Sequence, residues 1–357
     1  MIDLNKIDLG WHSFFEKAFQ PYQNEDGWVA GRVSLEHKHM YRVQTESGEM
    51  LAEISGKMRH NALRREDYPA VGDWVVLSLR EGEQRAVIHA VLPRRSKFSR
   101  KVAGQVTEEQ IVATNVDTVF LVSALNQDFN VRRIERYLVL AWESGANPVI
   151  VLSKADLCEN PDELAEEVAA VAIGVPIHII SSAEHRGLDA LARYITQGQT
   201  VALLGSSGVG KSTLVNHIYG RDILNIGDIR ADDDKGKHTT THRELILLPD
   251  GGILIDTPGM RELQLWSASE GLSTSFQDIE EVAEQCFFQD CKHENEPKCA
   301  VKAALDTGTL AAERFQSYVK LQKELAYLAR KEDKGLQAAE KAKWKKIHQS
   351  LKSQPHR

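Results

Sequence analysis

The sequence predicts a multidomain protein: an N-terminal β-barrel, a central α/β domain and a C-terminal helical region built round a cysteine cluster. Three observations carry this. Between Gly27 and Arg95 short segments alternate apolar and polar residues and are broken by turns. After Thr107 apolar strands alternate with helical segments, the pattern of a parallel sheet covered on both faces. After Ser267 the pattern turns helical, and three of the four cysteines fall between Cys286 and Cys299. At ~100–200 residues per domain, a chain of this length holds two or three domains. The expected boundaries are an arm over 1–20, a barrel over 21–100, the α/β domain over 101–267 and the helical region over 268–357.

The arm carries the apolar stripe of "WHSFFEKAF". The barrel begins with "GWVAGRVSLEHKHMYRVQTESGEMLAEISGKM", with turns expected at Ser47-Gly48 and Ser55-Gly56. "PAVGDWVVLSL" and "RAVIHAVLP" add two strands. So many short strands in so short a stretch suggest a small barrel of the oligonucleotide-binding (OB) type. The α/β domain offers five apolar strands: "VDTVFLVSAL", "NPVIVLSKAD", "VPIHIISSA", "TVALLGSSG" and "GGILIDTPG". Helices are expected at "VRRIERYLVLAWESGA", at "PDELAEEVAAVA" (which opens on proline and acids as helix starts do), at "GLDALARYI" and at "KSTLVNHIYG". "LAAERFQSYVKLQKELAYLARKEDKG" reads as a long amphipathic helix.

Net charge is −7, which argues against wholesale coating of nucleic acid, although two runs are locally basic. Arg94–Lys101 holds five basic residues and no acid, and Lys341–Arg357 holds six. Either would suit a phosphate backbone or simply a solvated face. No run of about 18 apolar residues exists, so no membrane span is expected. The N-terminus lacks the apolar block of a signal peptide. A cytoplasmic monomer without a membrane partner is the expectation, and in that compartment clustered cysteines favour metal over disulfide.

The chemistry concentrates at a few loops. "GSSGVGKST" places Gly205, Ser206, Ser207, Gly208, Val209, Gly210, Lys211, Ser212 and Thr213 in a phosphate loop. Its backbone N–H groups curl round phosphate oxygens, Lys211 reaches the terminal phosphates, and the Ser212 hydroxyl holds Mg²⁺. In "ILIDTPG", Asp256 ends a strand where it reaches Mg²⁺ through water, and the N–H of Gly259 can sense a γ-phosphate. Between them, Thr239–Thr241 offer a threonine, taken as Thr240, for Mg²⁺ and the γ-phosphate.

Upstream of that loop lies "VLSKADL", with Ser153, Lys154, Ala155 and Asp156 at a strand end. A carboxylate there accepts hydrogen bonds from guanine N1–H and the 2-amino group; adenine has neither donor, so GTP is preferred. The Lys154 stem can lie over the base. Ser153 stands where GTPases carry Asn or Thr, and keeps a hydroxyl. One strand later, Ser181, Ser182 and Ala183 match the backbone loop that meets guanine O6. Base recognition thus precedes the phosphate loop. Loops at the carboxyl edge of one sheet can converge whatever the chain order, so the reading is a circularly permuted P-loop GTPase domain.

With these motifs, "VGDWV", the Arg94–Arg100 link, "GKHTTTHRE", "DTPGMRE" and the cysteine cluster, the chain resembles the ribosome small-subunit-dependent GTPase family, RsgA, over nearly its whole length. The resemblance implies an OB-fold RNA-binding barrel, hydrolysis of GTP to GDP, and late maturation of the small ribosomal subunit in contact with its rRNA.

Cys286, Cys291, His293 and Cys299 form C-x₄-C-x-H-x₅-C, three thiolates and an imidazole that close a tetrahedral structural site for one Zn²⁺. The family has a zinc site at this motif. Cys158 lies apart. Met260 follows the D-x-x-G element where many GTPases carry Gln, and it cannot orient water; the family shares a hydrophobic residue here. The catalytic residue is left open, with His238 and His242 as candidates and activation by the subunit expected. Two other readings compete: an adenine-specific P-loop phosphotransferase, opposed by Asp156, and a nucleic-acid-binding protein with a regulatory nucleotide site, opposed by the intact Lys211, Ser212 and Asp256.

Overall fold

The computed structural model describes residues 5–25, 27–37, 40–80, 82–101, 109–220, 243–256 and 269–328. The expected roles of Thr239–Thr241, His238, His242, Gly259, Met260 and the basic tail fall outside the described residues.

The arm folds as helix α1 (Ser13–Phe19), and five strands form the barrel: β1 (Trp28–His37), β2 (Met40–Thr45), β3 (Gly48–Ile54), β4 (Trp74–Leu79) and β5 (Arg85–Val91). Their order is β1-β2-β3-β5-β4, and β4 pairs again with β1, which closes the ring; only β3–β5 is parallel. Val33, Val43, Ala52, Val75, Leu77 and Ile88 fill the interior. It is so tight at Gly31 that a Cβ there would lie 2.6 Å from Val43 and 2.7 Å from Leu77. The β4 sequence does not alternate because both its faces are covered. Val75 and Leu77 point inward, whereas Trp74 and Val76 lie against Trp11 and Phe15 of the arm. Trp11 and Trp74 meet edge to face at 4.7 Å.

Ser55-Gly56 opens not a bare turn but a short helix, α2 (Gly56–Asn61), because the Ser55 Oγ accepts from the Met58 N–H and caps it. The antiparallel pair β6 (Lys97–Lys101) and β7 (Glu109–Thr114) follows the barrel. The basic run that begins it is largely committed to partners inside the protein. Arg94 donates to both oxygens of the buried Asp73 carboxylate, Arg95 pairs with Asp117 at 2.9 Å and Lys97 with Glu109 at 2.8 Å. Three of its five cations thus have carboxylate partners within the protein, while the Arg95 and Lys97 side chains stay 46% and 39% exposed.

The central sheet runs β10 (Ile177–Ile179), β9 (Asn147–Ser153), β8 (Thr118–Ala124), β11 (Thr200–Leu204), β13 (Ile253–Asp256) and β12 (Glu244–Leu247). All pairs are parallel except β12–β13. One face, with Val119, Leu121, Ile150 and Leu152, packs on helices α3 (Val131–Ser144) and α4 (Pro161–Ala169). The other, with Phe120, Val122, Val149 and Val151, packs on α5 (Lys211–Tyr219) and on the segment Asp189–Tyr194. That segment is a 3₁₀ helix where the spacing predicts an α-helix. Strand β12 was not foreseen; at four residues it is too short to show a period.

Helices α6 (Ser269–Ser275), α7 (Gln277–Ala283) and α8 (Ala300–Asp306) precede a helix over residues 312–328. Their apolar residues Leu272, Phe276, Ile279, Val301, Tyr318 and Leu321 join the cluster that contains α3. Among the described residues no helix is long and apolar enough to cross a membrane.

Barrel and sheet are bonded together. Strand β1 bridges β12 at Leu35 and Glu244. The buried Arg32 donates from Nη1 to the Leu9 carbonyl of the arm at 2.7 Å, from Nε to Gly72 of the barrel at 3.2 Å, and from Nη2 to Asn115, just before β8, at 3.0 Å. Burial, opposed by Asp117 and Asp73, pushes its pKa down to about 10, so it stays charged at neutral pH. Replacing Arg32 with Met strands the Leu9 and Asn115 carbonyls. At about 1–3 kcal/mol for each buried unpartnered group, a loss of about 2–6 kcal/mol is expected. Urea unfolding should show a lower midpoint, and an unchanged midpoint would refute the role.

Candidate nucleotide site and metal centre

Register places the expected site residues along one edge. Ala124 is level with Ser153 in the β8–β9 pair, Leu121 with Leu204 in β8–β11, and Ala202 with Ile255 in β11–β13. The carboxyl ends of β10, β9, β11 and β13 therefore lie along the same edge of the sheet, where α/β sheets bind ligands.

The phosphate loop joins β11 to α5. At Gly205 a Cβ would lie 2.3 Å from the Val122 carbonyl, so only glycine lets the loop start this close to β8. Helix α5 begins at Lys211, directly after the loop, and its first-turn N–H groups and positive dipole end face the loop, as an anion requires. The Lys211 ammonium donates to the carbonyls of Gly205 at 2.8 Å and Ser206 at 2.6 Å. A terminal phosphate would compete with those carbonyls for the same cation. Ser207 and Gly208 are exposed; Ser212 and Thr213 are half-buried in the first turn of α5. Asp256 closes β13 beside this loop.

The residues expected to recognise the base meet the phosphate loop directly. The Ser153 hydroxyl donates to the Val209 carbonyl at 2.6 Å, with the Ser123 carbonyl at 3.3 Å. It is buried and committed to the loop, so its hydroxyl clamps two motifs together instead of facing a base. Lys154 adopts a left-handed backbone, φ 58°. Asp156 is exposed, not buried as its place at a buried strand end suggested, and its Oδ1 accepts from the Ser181 hydroxyl at 2.6 Å. The same Ser181 oxygen accepts from the N–H of Glu184, which shapes the loop holding Ser182 and Ala183. The motifs at Ser153–Asp156 and Ser181–Ala183 thus prove to be neighbours.

Two residues of this site were not legible beforehand. Arg133 Nη1 donates to the Ser206 hydroxyl at 3.0 Å, and the Tyr137 hydroxyl lies 3.3 Å from the same oxygen. Both belong to α3, and nothing in "VRRIERYLV" marks which face meets the loop.

The second centre is the knuckle between α7 and α8. Ligand atoms of Cys286, Cys291, His293 and Cys299 all lie within 4.8 Å of one another. A tetrahedral Zn²⁺ with Zn–S ≈ 2.3 Å and Zn–N ≈ 2.0–2.1 Å needs S···S of about 3.8 Å and S···N of about 3.6 Å. The observed Cys286–Cys299 separation is 3.9 Å, and His293 Nδ1 lies 3.6 Å and 3.4 Å from these sulfurs. The donor set fits the ion. Burial lowers the His293 pKa, which keeps the imidazole neutral as a ligand must be. Burial raises the Cys286 thiol, but the N–H groups of Val301 and Ala300 at the start of α8, together with the Cys299 and Cys291 side chains, outweigh it and its pKa falls. Left-handed backbones at His293 (φ 61°) and Lys298 (φ 59°) fold the short loop back on itself.

Known proteins agree with this arrangement. Residues 91–266 match the family model described as RsgA GTPase. The small ribosomal subunit biogenesis GTPase RsgA 1 of Oceanobacillus iheyensis is 48% identical over 338 residues, 94% of this chain and 96% of that protein. The RsgA of Opitutus terrae is 48% identical over 97% of this chain and 96% of its own length. Among solved structures, YjeQ from Thermotoga maritima matches with a TM-score of 0.64 at 31% identity, covering 84% of this chain and 99% of that one. YloQ, a circularly permuted GTPase, matches with a TM-score of 0.61 at 28% identity, covering 85% and 97%. A permuted sheet, between a barrel and a Cys/His knuckle able to hold a metal, and 48% identity to these relatives over nearly the whole chain together show that the chain belongs to the RsgA GTPase family.

Proposed function

We propose that this protein binds the small ribosomal subunit and its rRNA, assists late maturation of that subunit, and hydrolyses GTP to GDP and phosphate under the subunit's control. The observation that carries the guanine reading is the joint between Asp156, Ser181, Ser153 and the phosphate loop. A carboxylate held by one motif, on a strand clamped to the loop by the next, suits a guanine base and a phosphate chain in one ligand. The names of the relatives support the subunit as partner, and a cytoplasmic site of action follows from that partner.

In this reading Asp156 accepts from guanine N1–H and the 2-amino group, Lys154 covers the base, and Ser182 and Ala183 offer backbone N–H groups to O6. The N–H groups of residues 206–213 enclose the phosphates, and Lys211 neutralises charge between the terminal two. Ser212, Thr240 and Asp256 would hold Mg²⁺, which when bound offsets negative charge on the β- and γ-phosphates. Gly259 reads the γ-phosphate through its N–H. Met260 cannot orient water, so that task falls to His238, His242 or a group brought by the subunit. Cys286, Cys291, His293 and Cys299 hold one structural Zn²⁺; all four positions are protein ligands, which leaves none open for catalysis.

Single-turnover GTP hydrolysis, measured alone and with small or large subunits added separately, tests the proposal. The small subunit is expected to raise the rate at least about tenfold, modest beside the ~10³–10⁵-fold of an arginine finger. Equal rates in all three conditions would reject control by the subunit.

A further inference from the structure

One turn of α3 touches the phosphate loop on one side and the C-terminal helices on the other. On the loop side, Arg133 and Tyr137 share the Ser206 hydroxyl. Arg133 is oriented for this by Asp128, with Nη1–Oδ2 2.8 Å and Nη2–Oδ1 3.2 Å, and its own N–H is capped by Asn130 at 3.1 Å. On the far side, the buried Glu135 accepts from Arg314 at 2.9 Å, and Arg314 is also gripped through both oxygens of Asp278 at 2.6 Å. Arg136 makes a two-pronged pair with Glu324 at 2.6 and 2.8 Å. Residues 133, 135, 136 and 137 thus divide between two masters within five positions.

We propose that Arg133 and Tyr137 are positioning residues for the phosphate loop, and that the turn carrying them makes the loop's placement depend on the docking of the C-terminal helix. The reasoning is mechanical. Ser206 is the first side chain after Gly205, and its hydroxyl is a lateral handle on the loop. Its carbonyl is held by Lys211, the cation that a phosphate recruits. The hydroxyl's grip on α3 does not compete with phosphate, so it persists when the ammonium moves. Rotating α3 by a few degrees about its axis, as loss of the Arg136–Glu324 pair permits, displaces Ser206 and the N–H groups beside it. This route runs through the helix behind the loop, apart from the segment that follows Asp256. It rests on the guanine-nucleotide reading of the loop.

The test is a thermodynamic cycle on the full chain, using Glu324→Gln and Ser206→Ala singly and together, read as GDP affinity by fluorescence titration. Glu324→Gln is expected to weaken GDP binding about fivefold, the lower end of typical coupling between sites. In the Ser206→Ala background, with the handle gone, the same change should have almost no effect. Arg133→Lys, which keeps the cation but not the fork, should restore part of the affinity lost in Arg133→Ala. Equal effects of Glu324→Gln in both backgrounds would overturn the coupling, and so would no effect in either. These results leave the guanine reading intact, whereas failure of the unaltered chain to bind GDP would sink that reading itself.

Discussion

Stripping metal from the knuckle is expected to unfold the segment between α7 and α8 while the nucleotide edge survives. Structural zinc sites contribute about 10–16 kcal/mol in small peptides. The knuckle buries little apolar surface of its own: Phe287 is 65% exposed and Phe288 40% exposed, and of the four ligands Cys299 alone is buried. Cys299 also caps α8 through the Lys302 N–H, so loss of metal frees a helix start as well as a loop. A chelator strong enough to compete for zinc should open residues 284–302 to protease while GDP binding persists. The thiols must ionise to bind the metal, so protons compete and the chelator concentration needed should fall as pH is lowered. Cys291→Ser should behave like chelation, and Cys158→Ser, outside the set, should not. Unchanged protection after verified metal removal would refute a structural ion.

Replacing Asp156 with Ala is expected to cost most of the affinity for guanine nucleotide. Two hydrogen bonds to a charged acceptor contribute about 1.5–3 kcal/mol each. The carboxylate is exposed and gives up water to bind, so the lower end applies, about 3 kcal/mol or somewhat over 10²-fold. The substitution should also narrow the preference for GTP over ATP, because the group that discriminates is gone while the phosphate loop remains. Stability should fall only by about 1 kcal/mol, because the buried Ser181 hydroxyl loses its acceptor but still accepts from the Glu184 N–H. A variant that binds GTP as tightly as the unaltered chain would remove Asp156 from the site.

Much of this could be read from the sequence because the chemistry is local. The phosphate loop and cysteine cluster are contiguous, and their spacing alone fixes which atoms converge. The parallel sheet followed from five apolar runs alternating with helices, whereas the order of its strands is visible only in the fold. What stayed hidden depends on contacts between distant positions. Glu135 and Arg314 lie 179 residues apart and read separately as surface charges, yet both are buried and paired. Arg94 stands in a run that reads equally as a phosphate-facing patch or a solvated face, and only the fold brings the buried Asp73 beside it. Ser153 stands in the motif expected to meet the base, and only the approach of Val209 shows its hydroxyl spent on the loop. Asp189–Tyr194 has helical spacing, but the segment is one short stretch and settles into the tighter 3₁₀ winding.

The three carbonyls gathered by Arg32 carry a consequence for how the protein meets a large partner. Arm, barrel and the entry to β8 are pinned to one guanidinium, and β1 continues into the sheet through β12. Two modules on a flexible tether would give each other only a raised local concentration, set by linker length. Here there is no slack to explore. A surface that seats the barrel fixes, in the same event, the bearing from which the nucleotide edge arrives, as a caliper's second jaw follows its first.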